Sequence, residues 1–189
     1  MSNDFIQFMR HRVSQPGLEL PAPNKDEWLA VLDAASRAAD HGGLKPWRFR
    51  IYEGEGRQAL GQIYWHQACS ELHDLDPSKE ISFIKKAFRA PAILLVYAHT
   101  QEHPKVPPIE QIMAASAAAQ QAMLGLNALG YGTMWRSGPA CFTQKTKDLL
   151  NLDMIDQIVG LIYVGTPTSK KSNPIENTGI HDRVEWIDK

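Results

Sequence analysis

Apolar and polar residues recur along this chain with two periods, and the points where one gives way to the other divide it into helices and strands. Phe5, Phe8, Met9 and Arg12 fall at helical spacing, which predicts a short helix over Asn3 to Arg12 with a basic end. QPGLELPAP breaks it. Asn24 with Glu27 three residues on has the form of a capping box, and Trp28, Leu32, Ala35 and Ala39 run down one face of the helix that follows. That helix is expected to end at or just before His41-Gly42-Gly43. Trp47, Phe49 and Ile51 then alternate with Arg48, Arg50 and Tyr52, the period of a strand with one drier face.

A helix from about Gln58 to His73 follows, with Leu60, Ile63, Tyr64 and Cys69 expected inward. A short helix over Ile81 to Phe88 leads through Ala90-Pro91 into AILLVYAH, an unbroken apolar run that predicts a central strand covered on both faces. Ile109 to Leu129 reads as one alanine-rich helix of roughly 30 Å, whose small residues and Gly125 suit close approach by another backbone. YGTMWRSG is a strand with a polar tip, Lys145 to Leu152 a short helix, and QIVGLIYVGTP a last strand ended by Gly165 and Pro167. The tail from Thr168 retains Ile175, Ile180, Val184, Trp186 and Ile187 and is expected to dock, with a partner subunit as one surface for it. This order predicts one α+β domain over residues 1–189, a mixed sheet packed between helices.

Composition narrows the class of partner. With 43% hydrophobic and 22% charged residues and a formal net charge of -1, the chain has the balance of a soluble globular protein and no basic excess for nucleic acid. Cys69 and Cys141 are far apart and lack metal-site spacing, so both are expected to be core thiols in a reducing cytoplasm. The N-terminus lacks the apolar run of a signal peptide, and Glu110, Gln111, Gln120, Gln121 and Asn127 interrupt the longest apolar stretch too often for a membrane span.

Several polar clusters could carry chemistry. In DHGGLKPWRF, Gly42 and Gly43 permit positive φ and close approach of a planar ligand, while Pro46 is expected to hold Lys45 extended; a helix stop explains the same residues. Arg12-Val13-Ser14 offers a guanidinium and a hydroxyl suited to phosphate, against the plainer reading of an exposed arginine. Arg37, four residues before His41, also suits the end of a helix dipole. Trp135-Arg136-Ser137 sits at a strand end, where the arginine could meet a phosphate, a polarised carbonyl or a carboxylate. His99 and His103 invite a metal, but Pro104 and Pro107 spoil helical geometry and no third ligand is evident. No hydrolase elbow, Walker loop or dinucleotide glycine fingerprint is present.

Taken in order, Arg12-Val13-Ser14, RAADHGGLKPWRF, RAPAILLV, the alanine-rich helix into LGYGTMWRSG, and IVGLIYVGTP resemble the nitroreductase family of FMN-dependent enzymes over nearly the whole chain. The resemblance implies a largely antiparallel sheet sandwiched by helices in a domain-swapped homodimer, with FMN at each subunit interface. It also implies reduction by NAD(P)H and a ping-pong transfer to a nitroaromatic, quinone or similar electron-poor acceptor. By position it assigns Arg12, Val13 and Ser14 to the phosphate and ribityl region. Arg37 and His41 are assigned as contacts from the other subunit, and Trp135, Arg136 and Ser137 as a third FMN segment. Gly125 to Gly130 matches a nicotinamide-binding stretch. Lys45 departs from the family, standing where glutamine is usual. No side chain is assigned as a general acid or nucleophile, because the flavin carries the redox step. A flavin-storing protein without reductase turnover is the alternative.

Overall fold

The computed structural model describes residues 2–72, 74–169 and 179–188. Helix α1 (Ser2–His11) is followed by a two-residue strand β1 (Leu18–Glu19), then by α2 (Lys25–Ala35) and β2 (Trp47–Glu53). Next come α3 (Gly56–Glu71), the short α4 (Glu80–Ile84) and β3 (Ala92–His99). Helix α5 (Pro108–Ala128), β4 (Gly132–Arg136), α6 (Gln144–Leu149) and β5 (Asp156–Pro167) complete the framework. Strand β1 has no counterpart in the sequence reading, because Leu18 and Glu19 lie within the proline- and glycine-rich break.

The ladders place β3 between β2 and β5, and β5 between β3 and β4, since residues 161–164 of β5 pair with β3 on one side and β4 on the other. Every ladder is antiparallel; the parallel contact is an isolated bridge between Ser14 and Thr133. The expected mixed sheet is therefore an antiparallel one, closed by β1 on the last residues of β5. The two sides of β3 feed two cores. Ala92, Leu94, Val96 and Ala98 pack with α2 and the alanine face of α5, whereas Ile93 and Leu95 pack with Leu60, Leu161 and Tyr163 beneath α3. Each fully buried leucine or isoleucine of this strand contributes about 1.5–3 kcal/mol of burial.

Local chemistry explains the element ends. Asn24 accepts from the Glu27 N–H at 3.0 Å while Glu27 accepts from the Asn24 N–H at 2.8 Å, the reciprocal cap the spacing predicted. Helix α2 stops at Ala35, short of the glycines, because the Ser36 hydroxyl turns back onto Leu32 O and the chain leaves through a turn. Gly125 brings α5 against Val31 of α2: a β-carbon there would stand 3.2 Å from Val31 Cγ1.

Two expectations need correction. Cys69 is exposed; Trp65 and Ala68 take the buried positions of α3 instead. Lys45 is not extended but left-handed at φ 49°, because its N–H donates to Asp40 Oδ2 at 2.6 Å and its carbonyl accepts from Arg48 Nη1. Within one chain the described part of the tail leaves Trp186 87% and Ile187 83% exposed, and the partner surface expected for it lies outside a single chain. Ile175 and residues 170–178 around it lie outside the described residues. No described helix is long and apolar enough to cross a membrane.

Candidate functional site

Two of the polar clusters meet on β4. The Gln15 N–H donates to Thr133 O at 3.0 Å, and the Ser14–Thr133 bridge lies beside it, so the segment leaving α1 is stitched to the start of this strand. Arg12 stands just before the stitch, half-buried, and Val13 is half-buried while Ser14 is exposed. Arg12 Nη1 and Thr133 Oγ1 are sealed from solvent without a hydrogen-bond partner among the described residues. Leaving a buried polar group unpaired costs about 1–3 kcal/mol, more when it is charged. A guanidinium held in this way is preorganised for an anion.

At the other end of β4 the pleat separates neighbouring side chains. Trp135, opposite Ile162, packs toward α2 and α5. Its indole covers Gly160, where a β-carbon would stand 2.2 Å from Nε1. Arg136 points to the other face, its guanidinium 5.2 Å from the centre of the Tyr163 ring. Its Nη2 donates to Met134 Sδ at 3.3 Å, and its Nε is buried without a partner among the described residues. Ser137 follows, exposed at the rim.

Arg136 and Ser137 line a cavity of about 240 Å³. Its walls bring in residues to which sequence reasoning assigned no role: Tyr64 and Gln67 from α3, and Lys86 and Arg89 from the turn before β3. The run of cations ahead of Ala90-Pro91 was the available signal, but its direction depends on how that turn packs under α3. Lys86 Nζ lies 3.5 Å from the centre of the Phe83 ring. Burial, reinforced by the charge of Arg89, lowers the Lys86 ammonium pKa from its usual range. The Tyr64 and Tyr163 hydroxyls are 3.1 Å apart, and burial raises both phenols. For Tyr163, the Tyr64 hydrogen bond and then the charges of Arg136 and Arg89 oppose that rise.

Cys141 lies in the wall of the cavity, where burial pushes its thiol up. A raised thiol pKa means less thiolate at a given pH, so Cys141 should react slowly with a thiol reagent at about pH 8 while exposed Cys69 reacts at once. Thiol counting with and without denaturant checks this; two equally fast thiols in the native protein would contradict the placement.

The remaining clusters lie elsewhere in the chain. Arg37 is exposed beyond the end of α2. His41 belongs to a 3₁₀ turn (His41–Gly43) whose glycines adopt φ 77° and 66°, and its Nδ1 pairs with Glu110 Oε2 of α5 at 2.7 Å. It lines a separate open cleft with Asp40, Glu110 and Met113. Within one chain, Arg37 and His41 do not join the Arg136 cavity. Trp47 is a core residue, and Trp65 packs behind the cavity on Phe83 with ring centres 5.8 Å apart. His99 Nδ1 pairs with buried Asp156 at 2.7 Å, clasping β3 to β5, with Asp153 close by. His103 does not join them; its Nδ1 accepts from the Lys105 N–H.

An antiparallel sheet between two helical layers, with an arginine nitrogen that has no partner among the described residues at one end of β4 and a cationic cavity at the other, defines an α+β protein with two cationic ends on one strand. The chain belongs to the nitroreductase family, whose sequence model matches residues 19–166. YdjA of Escherichia coli (strain K12), which bears an NAD(P)H nitroreductase name, is 35% identical over 173 residues, 91% of this chain and 93% of YdjA. A nitroreductase-like family protein from Bacillus cereus has the same fold, with a TM-score of 0.84 at 23% identity over 97% of this chain and 96% of that one. A protein from Exiguobacterium sibiricum, named as a nitroreductase and solved in complex with FMN, gives 0.74 at 16% identity over 97% of each chain.

Proposed function

We propose that this protein is an FMN-dependent oxidoreductase that passes reducing equivalents from NAD(P)H to a nitroaromatic, a quinone or a similar electron-poor acceptor in a ping-pong cycle. The observation that carries the reading is the pair of partnerless guanidinium nitrogens, Arg12 Nη1 and Arg136 Nε, at the two ends of β4. They fit a ligand with a phosphate at one end and, at the other, a ring system that carries hydrogen-bond acceptors. The family's membership, the nicotinamide in the name of YdjA and the FMN of the Exiguobacterium protein support the same choice.

In this reading Arg12 and Ser14 hold the phosphate through charge-assisted hydrogen bonds, and Val13 covers the ribityl chain. Arg136, Ser137 and Trp135 frame the ring system. FMN, when bound, accepts a hydride and passes two electrons on; the chain supplies orientation, charge and exclusion of water. Beyond the Ser14 bridge, no described strand pairs with the outer edge of β4. That open edge, the exposed Phe5 and Ile6 of α1 and the exposed Trp186 of the tail suit a homodimer, in which Arg37 and His41 reach the partner's flavin.

The purified protein should be yellow, and NADH or NADPH should bleach it under anaerobic conditions, with a nitroaromatic or quinone restoring the colour. A spectrum that shows no flavin, even after incubation with FMN, would overturn the cofactor assignment. Flavin that stays oxidised with both nicotinamides would instead favour storage.

A further inference from the structure

We propose that the cavity at the end of β4 selects an acceptor bearing an anionic group, a carboxylate on a single planar ring. This rests on the oxidoreductase reading and names its substrate class. Lys86, Arg89 and Arg136 converge on the cavity, and no aspartate or glutamate is among its lining residues. Among the described residues, none of the three cations is ion-paired with a carboxylate. Cations gathered in a partly desolvated site without a counter-charge repel one another, and an entering anion relieves that cost. Burial lowers the ammonium pKa of Lys86, and repulsion by Arg89 adds a smaller push in the same direction.

Arg136 Nε is the independent observation: among the described residues it is buried without a hydrogen-bond partner, and Gln67, only 8% exposed, lines the same cavity. An anion in the cavity would meet that N–H, and the Gln67 carboxamide can donate to or accept from a polar substituent beside it. Phe83, Leu161 and the rings of Tyr64 and Tyr163 supply apolar faces for an aromatic ring. The volume, about 240 Å³, lies below the roughly 300–1,000 Å³ of pockets for larger ligands and suits one substituted ring. Arg136 is shared with the flavin assignment, whereas Arg89 and Lys86 are free to discriminate acceptors.

The test compares para-nitrobenzoate with its neutral analogue para-nitrobenzamide on the flavin-loaded protein. Calorimetric titration should show the carboxylate binding about tenfold more tightly than the amide, a preference that Arg89→Gln and Lys86→Gln each reduce several-fold. The ratio of kcat/KM for the two acceptors should fall in parallel, through KM, with FMN occupancy unchanged by either variant. Equal affinity for the two acceptors in the wild-type protein overturns the proposal. So does a loss of FMN from both variants, which assigns the cavity to the flavin. Near-ultraviolet circular dichroism confirms that each variant is folded. If the wild-type protein takes up no FMN, the oxidoreductase reading fails by itself; the titration then reports on the anion preference of the cavity alone, and equal binding again overturns it.

Discussion

Arg12→Ala should release FMN without unfolding the protein. A charge-assisted hydrogen bond contributes about 1.5–3 kcal/mol, and every 1.4 kcal/mol is tenfold in affinity, so FMN should bind roughly 10–100-fold more weakly. The stability of the flavin-free protein should move the other way or not at all. Arg12 Nη1 is buried without a partner, so truncation removes an unmet polar group as well as a packing surface. Few substitutions are expected to weaken ligand binding while sparing the fold, and this pairing of outcomes separates a ligand-holding arginine from a structural one. Arg12→Lys keeps the charge but not the fork and should recover only part of the affinity. Fluorescence titration of the flavin-free protein with FMN, beside a thermal melt, measures both quantities. Unchanged FMN affinity in Arg12→Ala would remove the phosphate assignment.

The largest effect on stability is expected at Gly160. It lies in the middle of β5, facing α2 and α5, and the Trp135 indole occupies the place of its missing side chain. An added β-carbon would meet Nε1 at 2.2 Å, Cε2 at 2.9 Å and Cδ1 at 3.0 Å. Valine there must evict the indole, and Trp135 is a main anchor of β4 on that side of the sheet. Overpacking alone costs about 1–3 kcal/mol and loss of a packed tryptophan about 3–5 kcal/mol. Gly160→Val should thus cost about 3 kcal/mol or more, a large share of the roughly 5–15 kcal/mol that holds a domain together. Because β4 also carries Arg136, flavin retention should fall with it. A urea titration reads the stability, and the double variant Gly160→Ala with Trp135→Leu should regain part of it. A Gly160→Val protein as stable as the wild type would show that the indole is free to move and does not hold the strand.

Both predictions turn on side-chain direction, and this is where the reading of the sequence meets its limit. The capping box at Asn24 and Glu27 was legible because it is a contact across three residues. The AILLVYAH run was legible as the central strand because burial on both faces removes alternation. Arg12, Arg136 and Ser137 were legible only as separate clusters, marked by an ordered resemblance to a family. Their union depends on Gln15 pairing with Thr133, a contact between residues far apart in the chain. Cys69 shows the opposite case: an apolar residue on a helix looks inward by type, yet the register of α3 turns Trp65 and Ala68 to the core instead. Lys45 shows a third, since the Asp40 carboxylate that holds its N–H overrides the extended conformation favoured before proline.

By itself, the sequence determined the succession of helices and strands, the central strand and the chemistry available in each polar cluster, because periodicity and capping are local. Tertiary structure decided which chemistries share a site. Pairing of β4 with β5 sends Trp135 into one core and Arg136 to the opposite face, and packing under α3 turns Lys86 and Arg89 toward Arg136. Convergence is a property of register and packing, set by contacts between distant residues, and so it became visible only in the folded chain.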